Sequence, residues 1–170
     1  MNRWDEYYYE ITQAVSSNSK CLSIKIGAIV VKDKSIIATG YNGPARGIPE
    51  CGEARMEKDD RINILLEKES PKIIKSYCPR KLLGASSGEL LQYCIAAHAE
   101  ANCIANAARM GVNLSGGSMY MTCGIPCQNC LNLIINAGIL TIVVANFNYY
   151  DMSSKYILDN STLSVRTYGD

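Results

Sequence analysis

Residues 118–145 contain the pattern that most restricts the fold, a strand, a helix and a second strand in succession. SMYMT at 118–122 is typical of a strand, and ILTIVVA at 139–145 is typical of a buried strand. Between them, residues 126–137 are predicted to form a helix that begins at Pro126 and ends before Gly138. Because strands joined by a crossover helix lie parallel in one sheet, this segment predicts a parallel pair.

The first 44 residues predict a helix followed by a hairpin. Apolar residues at helical spacing indicate a helix over 3–16. The β-rich runs 26–32 and 35–41 are separated by Asp33-Lys34, which predicts a hairpin, and Asn42-Gly43-Pro44 predicts a turn after it. Three more elements are predicted: an Ala-rich helix over 97–110, a short helix near 151–158 and an edge strand near 163–167.

The length of 170 residues suits a single domain, residues 1–170, with a charged insertion at about 45–92. One helix is predicted within the insertion, near 57–68. The net charge is +1 and the charges are interspersed, which favours a small-molecule substrate over a polynucleotide. The N-terminus lacks the apolar segment of a secretory signal, and no apolar run is long enough to span a bilayer, so we expect a cytoplasmic protein without membrane contact.

Two short segments carry the chemistry, His98-Ala99-Glu100 and Pro126-Cys127-Gln128-Asn129-Cys130. One histidine and two thiolates form a common zinc set with an open fourth position, which is typical of catalytic zinc. Water on such a zinc ionises near pH 7, and the hydroxide can attack a ring carbon that bears an amino group. A neighbouring carboxylate, Glu100, can carry the proton to the ring nitrogen and then to the leaving ammonia.

The spacing of these residues adds a geometric condition. Residues two apart in a helix do not share a face, so His98 and Glu100 must lie at a helix start if both are to serve one metal. Cys127 and Cys130 are three apart and share a face in the first turn after Pro126. Two helix N-termini would then point at the metal and favour thiolates. The alternatives are buried thiols or a closed structural zinc site with Cys123 as its fourth ligand.

The combined H-x-E and P-C-x-x-C signature is that of zinc nucleobase deaminases. Together with GYNG at 40–43 and the stretches 19–44, 97–122 and 124–144, it identifies a resemblance to the deoxycytidylate (dCMP) deaminases of the cytidine deaminase-like superfamily. The resemblance implies a three-layer α/β/α sandwich around a mixed, roughly five-stranded central sheet. It also implies hydrolysis of dCMP to dUMP and ammonia, which supplies thymidylate synthesis.

The same resemblance implies partners and regulation. Members of this family are usually homohexamers that dCTP activates and dTTP inhibits, with Mg²⁺ accompanying the triphosphate. A deaminase of another cytosine nucleotide, such as dCTP or a 5-substituted dCMP, is an alternative. A non-catalytic zinc or nucleotide-sensing module is a third hypothesis, which an intact Glu100 disfavours.

Residue by residue, the resemblance assigns the zinc to His98, Cys127 and Cys130, and the proton shuttle to Glu100. It implies that Asn42, with Gly43, contacts the nucleotide sugar, that the backbone N–H of Ala99 donates to the cytosine carbonyl, and that Arg109 binds phosphate across a subunit contact. As alternatives, Asn42 and Gly43 could serve only as a turn, and Arg109 could be a solvated residue in the last helical turn. Weaker candidates are Lys25, Arg46, Arg80 and Lys81 for phosphate. Tyr120 and Tyr149 are candidates for walls of the base, and core or surface packing is an equally strong alternative for both.

Some relatives of this kind carry a second, structural zinc. Here Cys21 and Cys51 fall at suitable places, and because the chain has a single histidine, Cys78 and Cys94 would complete a four-cysteine site. Free buried thiols are the alternative.

Overall fold

The computed structural model describes residues 2–65 and 76–170. Its chain divides into two compact units. The first comprises Met1–Ser19, Ile26–Asn42 and His98–Asp170, and the second comprises Lys20–Lys25 and Gly43–Ala97.

The first unit is built on a mixed five-stranded sheet with the strand order β2-β1-β3-β4-β5. Strand β1 pairs antiparallel with β2 and with β3, whereas β4 pairs parallel with β3 and with β5. The predicted hairpin, parallel pair and edge strand are thereby confirmed. The strands are β1 Gly27–Lys32, β2 Ser35–Tyr41, β3 Ser118–Met121, β4 Thr141–Val144 and β5 Ser164–Thr167.

Helices cover both faces of this sheet, which confirms the predicted three-layer sandwich. Helix α1 lies on one face, where Tyr8 packs against Ile29, Tyr120 and Val143. On the opposite face, the core contains residues of helices α5 and α6, with residues of α7 packed against it. The helices of this unit are α1 Arg3–Ser17, α5 Ala99–Met110, α6 Gln128–Asn136 and α7 Met152–Asp159.

The strand period of two decides which side chains face which layer. Met119 and Met121 belong to the core under α5 and α6, while Tyr120 between them belongs to the core under α1. By the same alternation along β1, Val30 lies in the core under α5 and α6, and Ile29 lies in the core under α1. The sheet therefore separates the two cores completely along its central strands.

An ion pair joins the two ends of the first unit. The Arg166 guanidinium in β5 contacts the buried Asp5 carboxylate in α1 at 2.7 Å and also donates to the Tyr120 hydroxyl at 3.3 Å. Hydrogen bonding to Arg166 lowers the pKa of Asp5 against the opposing effect of burial. This contact fixes α1 against the parallel edge of the sheet.

The second unit contains short helices: α2 Glu53–Met56, α3 Asp60–Leu65, α4 Pro79–Leu82 and a 3₁₀ turn at Leu91–Tyr93. The prediction of one helix near 57–68 is wrong at its start, since the chain leaves helical structure after Met56 and resumes at Asp60; residues 66–68 lie outside the described residues. Asp59 immediately precedes α3 and is a residue type favoured at that position. Its carboxylate binds Arg55 at 3.0 Å and Arg61 at 2.8 Å.

No helix in the described part of the chain combines the length and the apolar character needed to cross a membrane.

Gly40 in β2 permits an unusually close approach between the sheet and α5. A Cβ at this position would lie 2.6 Å from the Cα of Cys103 and 2.5 Å from the carbonyl oxygen of Ala99. Both are backbone atoms of α5, so relief would require movement of the helix itself. On either side of Gly40, the side chains of Asn102 and Asn106 donate to the carbonyls of Tyr41 and Thr39, which holds α5 at this depth.

We expect Gly40→Ala to lower the free energy of unfolding by about 3 kcal/mol or more, because backbone atoms block the added methyl group. Urea denaturation followed by circular dichroism measures the change. Gly47→Ala is the matched control, since Gly47 has φ of +80° but open space around it and should show only the cost of backbone strain, about 1 kcal/mol. Equal effects of the two substitutions would contradict the steric explanation.

Candidate metal centre

His98 and Glu100 lie at the start of α5, as their spacing required. His98 is the N-cap residue, with extended backbone angles (φ −70°, ψ 156°), and its side chain makes no capping hydrogen bond to the helix. Glu100 follows in the first turn. Because His98 is outside the helix and Glu100 is in its first turn, the imidazole and the carboxyl group can both lie close to the same metal ion.

Cys127 and Cys130 occupy the corresponding place on α6. Cys127 is the N-cap residue (φ −66°, ψ 162°), and it too makes no side-chain capping bond to its own helix. Both cysteines are buried, with 8% and 3% of their surface exposed. The Nδ1 atom of His98 lies 3.4 Å from the Cys127 sulfur and 3.5 Å from the Cys130 sulfur.

These distances fit a tetrahedral zinc ion. Zinc bonds of about 2.3 Å to sulfur and 2.0–2.1 Å to nitrogen, at tetrahedral angles, place the sulfur and nitrogen ligands about 3.5 Å apart. One imidazole N–H could satisfy only one sulfur at a time, whereas a shared ion explains two nearly equal distances. Within residues 2–65 and 76–170, His98, Cys127 and Cys130 are the only group of three or more such ligands whose atoms all lie within 4.8 Å of one another.

The local field favours a thiolate at this point. Hydrogen bonds from the Cys130 thiol and the His98 ring lower the pKa of the Cys127 thiol to about 4, although burial opposes them. As the donor to that thiolate, Cys130 has a raised pKa, and the hydrogen bond to Cys127 also raises the pKa of His98. The N-termini of α5 and α6 add their partial positive charges on the same side.

Glu100 is a buried acid beside the three ligands. Only 3% of its surface is exposed, and this desolvation raises the pKa of its carboxyl group. The neighbouring imidazole of His98 lowers that pKa and the thiolate of Cys127 raises it, so all three groups share one field. An acid with a raised pKa can both accept and release a proton near neutral pH.

Cys123 does not join the ligand group. Burial raises the pKa of its thiol, and the nearby charges of Glu100 and Cys127 raise that pKa further. Its sulfur nevertheless falls outside the set of mutually close ligand atoms in the described chain. The closed four-ligand site with Cys123 is therefore not assembled, and three protein ligands leave a position for a fourth, exchangeable one.

The residues predicted for substrate contacts are placed as follows. The backbone N–H of Ala99 belongs to the first residue of α5, next to His98. The amide oxygen of the buried Asn42 accepts a hydrogen bond from the Ile26 backbone N–H at 2.8 Å. Within the second unit, Gly43 exchanges two backbone hydrogen bonds with Ala97, at 3.1 and 2.9 Å. The turn at Asn42-Gly43 thus has a structural role as well.

The residues predicted to bind phosphate lie in both units of the chain. Arg109 is exposed in the last turn of α5, about 16 Å along the helix from His98 at 1.5 Å per residue. The guanidinium of Arg80 donates to the carbonyls of Glu89 and Ser86, at 2.6 and 3.0 Å. Lys25, Arg46 and Lys81 belong to the second unit, as does Arg80.

Tyr120 packs in the core, which was the alternative to a role as a wall for the base. Its ring lies 4.8 Å from that of Tyr8 in the layer under α1, on the face of the sheet opposite to the core that contains α5 and α6. Tyr149 is exposed, with Lys155 near its ring. The aromatic side chain beside the ligands is instead Tyr150, whose ring centre is 5.9 Å from that of His98.

Sequence reasoning missed Tyr150, and it also missed Asp151 and Ser154, whose side chains contact the segment that carries Cys127. The Asp151 carboxylate accepts a hydrogen bond from the Gln128 backbone N–H, and the Ser154 hydroxyl donates one to the Pro126 carbonyl. The only local signal was an aspartate before a short helix, which predicts an N-cap and nothing more.

The four cysteines considered for a second zinc all lie in the second unit. Cys21 and Cys78 are close enough to Cys51 for their charges to raise its pKa, together with the larger effect of burial. The buried Arg55 lies 3.6 Å from the Cys51 sulfur through Nη1 and favours the thiolate. In the described chain these sulfurs do not form a group as compact as the one at His98.

Comparisons with known proteins agree with this geometry. The family model of the cytidine and deoxycytidylate deaminase zinc-binding region matches residues 2–146. The deoxycytidylate deaminase of Mycobacterium phage D29 is 36% identical over 146 residues, which cover 82% of this chain and 92% of that protein. The deoxycytidylate deaminase of Enterobacteria phage T4 is 35% identical over 150 residues, covering 79% of this chain and 73% of that one.

Among solved structures, the dCMP deaminase from cyanophage S-TIM5, in complex with dCMP and dUMP, shows the same fold. The TM-score is 0.67 and the sequence identity is 25%, with 98% of each chain covered.

We expect Cys127→Ser and Cys130→Ser to lose tightly bound zinc, because each removes a thiolate from a three-ligand site. Cys123→Ser is the matched control, since it changes a nearby buried thiol outside the ligand group and should retain zinc. Zinc per chain, measured by inductively coupled plasma mass spectrometry after dialysis, checks the expectation. Loss of zinc from Cys123→Ser alone would show that the ligand set is a different one.

Proposed function

The chain belongs to the cytidine and deoxycytidylate deaminase family, and on that basis we propose that it hydrolyses dCMP to dUMP and ammonia. The observation that carries the proposal is the convergence of His98, Cys127 and Cys130 with the buried carboxyl of Glu100 beside them. Support for the substrate comes from the phage relatives, which are deoxycytidylate deaminases, and from the cyanophage enzyme in complex with dCMP and dUMP.

His98 would hold the zinc through Nδ1, and Cys127 and Cys130 through their sulfurs. When bound in such a site, zinc lowers the pKa of a water molecule to about 7 and so supplies a nucleophile. The chain's own contribution is to bring one neutral ligand and two thiolates to the same point and to leave the fourth position to solvent or substrate.

Glu100 moves the protons of the reaction. Its carboxylate accepts a proton from the attacking water and delivers it to the ring nitrogen N3 of cytosine. The tetrahedral carbon C4 then expels its amino group, which leaves as ammonia after Glu100 assists its protonation. One water is consumed, the C4–N bond breaks and a carbonyl forms at C4, so the atoms of dCMP and water appear in dUMP and ammonia.

Two donors are suited to orient the substrate. The first N–H groups of a helix have no partner within that helix, so the Ala99 N–H is available in principle to the cytosine carbonyl. Because the Ile26 N–H can only donate, the oxygen of the Asn42 amide must face it, and the amide nitrogen is thereby oriented as a donor. We assign that nitrogen to the nucleotide sugar, with Gly43 shaping the turn.

The phosphate requires a cation that the ligand cluster lacks. Since Arg109 lies at the far end of α5, we propose that it serves a neighbouring subunit's site within a homohexamer. Lys25, Arg46 and Lys81 remain alternatives. We further propose that dCTP with Mg²⁺ activates the enzyme, that dTTP inhibits it, and that its dUMP supplies thymidylate synthesis.

Deamination of dCTP or of a 5-substituted dCMP is the alternative within the same chemistry. A non-catalytic zinc module is disfavoured, because burying Glu100 beside the ligands lowers stability, and a purely structural zinc site does not need a buried acid there.

We also propose a second, structural zinc in the second unit, bound by Cys21, Cys51, Cys78 and Cys94. The electrostatic effect of Cys78 and Cys21 on Cys51, and the contact of Arg55 with the Cys51 sulfur, support it. Zinc would draw these sulfurs together and offset their burial as thiolates.

Glu100→Gln is expected to lower kcat/KM for dCMP by about 10²- to 10⁴-fold while zinc content stays unchanged, because the amide cannot carry a proton. Ammonia release is measured with dCMP, dCTP, 5-methyl-dCMP and cytidine, each with and without dCTP or dTTP as effector. Glu10→Gln, an exposed change on α1, is the control and should match the wild type. A Glu100→Gln variant as active as the wild type would refute the assigned role, and preference for another nucleotide would replace dCMP as the substrate.

The second zinc predicts two zinc ions per chain in the wild type and one in Cys51→Ser. Because the ligands at His98 are untouched, Cys51→Ser should keep its remaining zinc, and thermal unfolding should show a lower Tm. A wild-type chain with one zinc per chain would remove the second site without affecting the first.

A further inference from the structure

Helix α6 lacks the side-chain cap that a helix usually has. At the N-cap, Ser, Thr, Asp or Asn normally accepts a hydrogen bond from an unpaired backbone N–H of the first turn. In α6 this position is Cys127, whose side chain makes no such bond and faces the sulfur of Cys130 and the ring of His98 instead. The backbone N–H of Gln128, the first residue of α6, is bound instead by a group from another helix.

Asp151 supplies that group from 23 residues further along the chain. Its Oδ2 atom accepts a hydrogen bond from the backbone N–H of Gln128, the first residue of α6, at 3.2 Å. Its Oδ1 atom accepts one from the backbone N–H of Ser154 at 2.7 Å, so the same carboxylate caps its own helix, α7. One side chain thus joins the N-termini of two helices.

Ser154 binds the peptide group on the N-terminal side of Cys127. Its side chain is fully buried, and its hydroxyl lies 2.8 Å from the carbonyl oxygen of Pro126 and 2.9 Å from Oδ1 of Asp151. A hydroxyl has a single proton, which these two acceptors share. The Pro126 carbonyl is therefore fixed to the start of α7.

These contacts fix the backbone of Cys127. The Pro126 carbonyl belongs to the peptide plane before Cys127, and the Gln128 N–H belongs to the plane after it. The angles φ and ψ of a residue are set by its two flanking planes. Because Asp151 and Ser154 hold both planes from one rigid helix start, they fix φ and ψ of Cys127 and the direction of its Cα–Cβ bond.

We propose that Asp151 and Ser154 are positioning residues that hold the Cys127 sulfur in its zinc-binding direction through both peptide groups that flank it. Tyr150 precedes Asp151 and places its ring beside His98. The segment 150–154 therefore contacts His98 and both sequence neighbours of Cys127, Pro126 and Gln128.

The inference rests on the zinc site of the proposed function but not on the identity of its substrate. Residues that orient metal ligands from outside the coordination sphere commonly change metal affinity by about 10- to 100-fold when they are removed. Loss of Asp151 or Ser154 should therefore appear first as faster release of zinc.

The test measures zinc release from the full-length protein. Zinc-loaded wild type, Asp151→Ala, Asp151→Asn and Ser154→Ala are mixed with excess of a chromogenic chelator, well below the onset of unfolding. We expect zinc dissociation to be about 10- to 100-fold faster in Asp151→Ala and in Ser154→Ala. Asp151→Asn keeps one acceptor oxygen and should lie between these variants and the wild type.

Asp159→Ala is the matched control, because Asp159 lies on the same helix, is exposed and pairs only with Lys155 among its described contacts. It should release zinc at the wild-type rate. Cobalt-substituted protein provides a second readout, since sulfur-to-cobalt charge-transfer absorption should weaken or shift in Asp151→Ala and Ser154→Ala but not in Asp159→Ala. A merely structural role would lower the unfolding midpoint in urea and leave both readouts unchanged.

Wild-type zinc release and cobalt spectra in Asp151→Ala and Ser154→Ala would overturn the inference. If Asp151→Ala does not fold, Ser154→Ala and Asp151→Asn decide by the same criteria. A wild-type chain that binds no zinc would overturn the inference and the proposed function together, whereas a zinc-bound wild type with unaffected variants would overturn the inference alone.

Discussion

The structure depends on the meeting of two helix N-termini at one point. His98 and Cys127 are the N-cap residues of α5 and α6, and neither side chain caps its own helix. Each helix thereby forgoes an interaction worth about 1 kcal/mol, because the side chain is turned toward the metal ligands instead. The two helices that carry the ligands therefore lack their usual N-cap hydrogen bonds, and other contacts must hold them in place.

The sheet and the loops provide those contacts in different ways. Helix α5 is held by the close approach at Gly40 and by the amides of Asn102 and Asn106, which bind carbonyls of β2. For α6, a cap comes from Asp151, at the start of another helix. The first arrangement uses packing against the sheet and the second uses hydrogen bonds, yet both restrict how the ligand-bearing turn can move.

Much of this arrangement could be predicted from the sequence because its signals are local. Apolar periodicity predicted α1, an Ala-rich run predicted α5, Pro126 and Gly138 marked the ends of α6, and β-rich runs predicted the hairpin strands. The two-residue spacing of His98 and Glu100 predicted a helix start. The contacts of Asp151 and Ser154 could not be predicted, since their partners lie 23 and 28 residues away and no pattern marks them. Tyr120 is a different case, because the alternation of Met119, Tyr120 and Met121 already placed it on the other face of the sheet.

Glu100 shows why the ligands and the proton carrier form one unit. A carboxyl group with 3% exposure is costly to ionise, and the adjacent Cys127 thiolate adds repulsion that raises its pKa further. A divalent cation at the three ligands would offset both effects, since it neutralises the thiolates and attracts the carboxylate. A metal at the three ligands would therefore stabilise the ionised form of Glu100 that accepts a proton, so the acid and its ligands act as one unit.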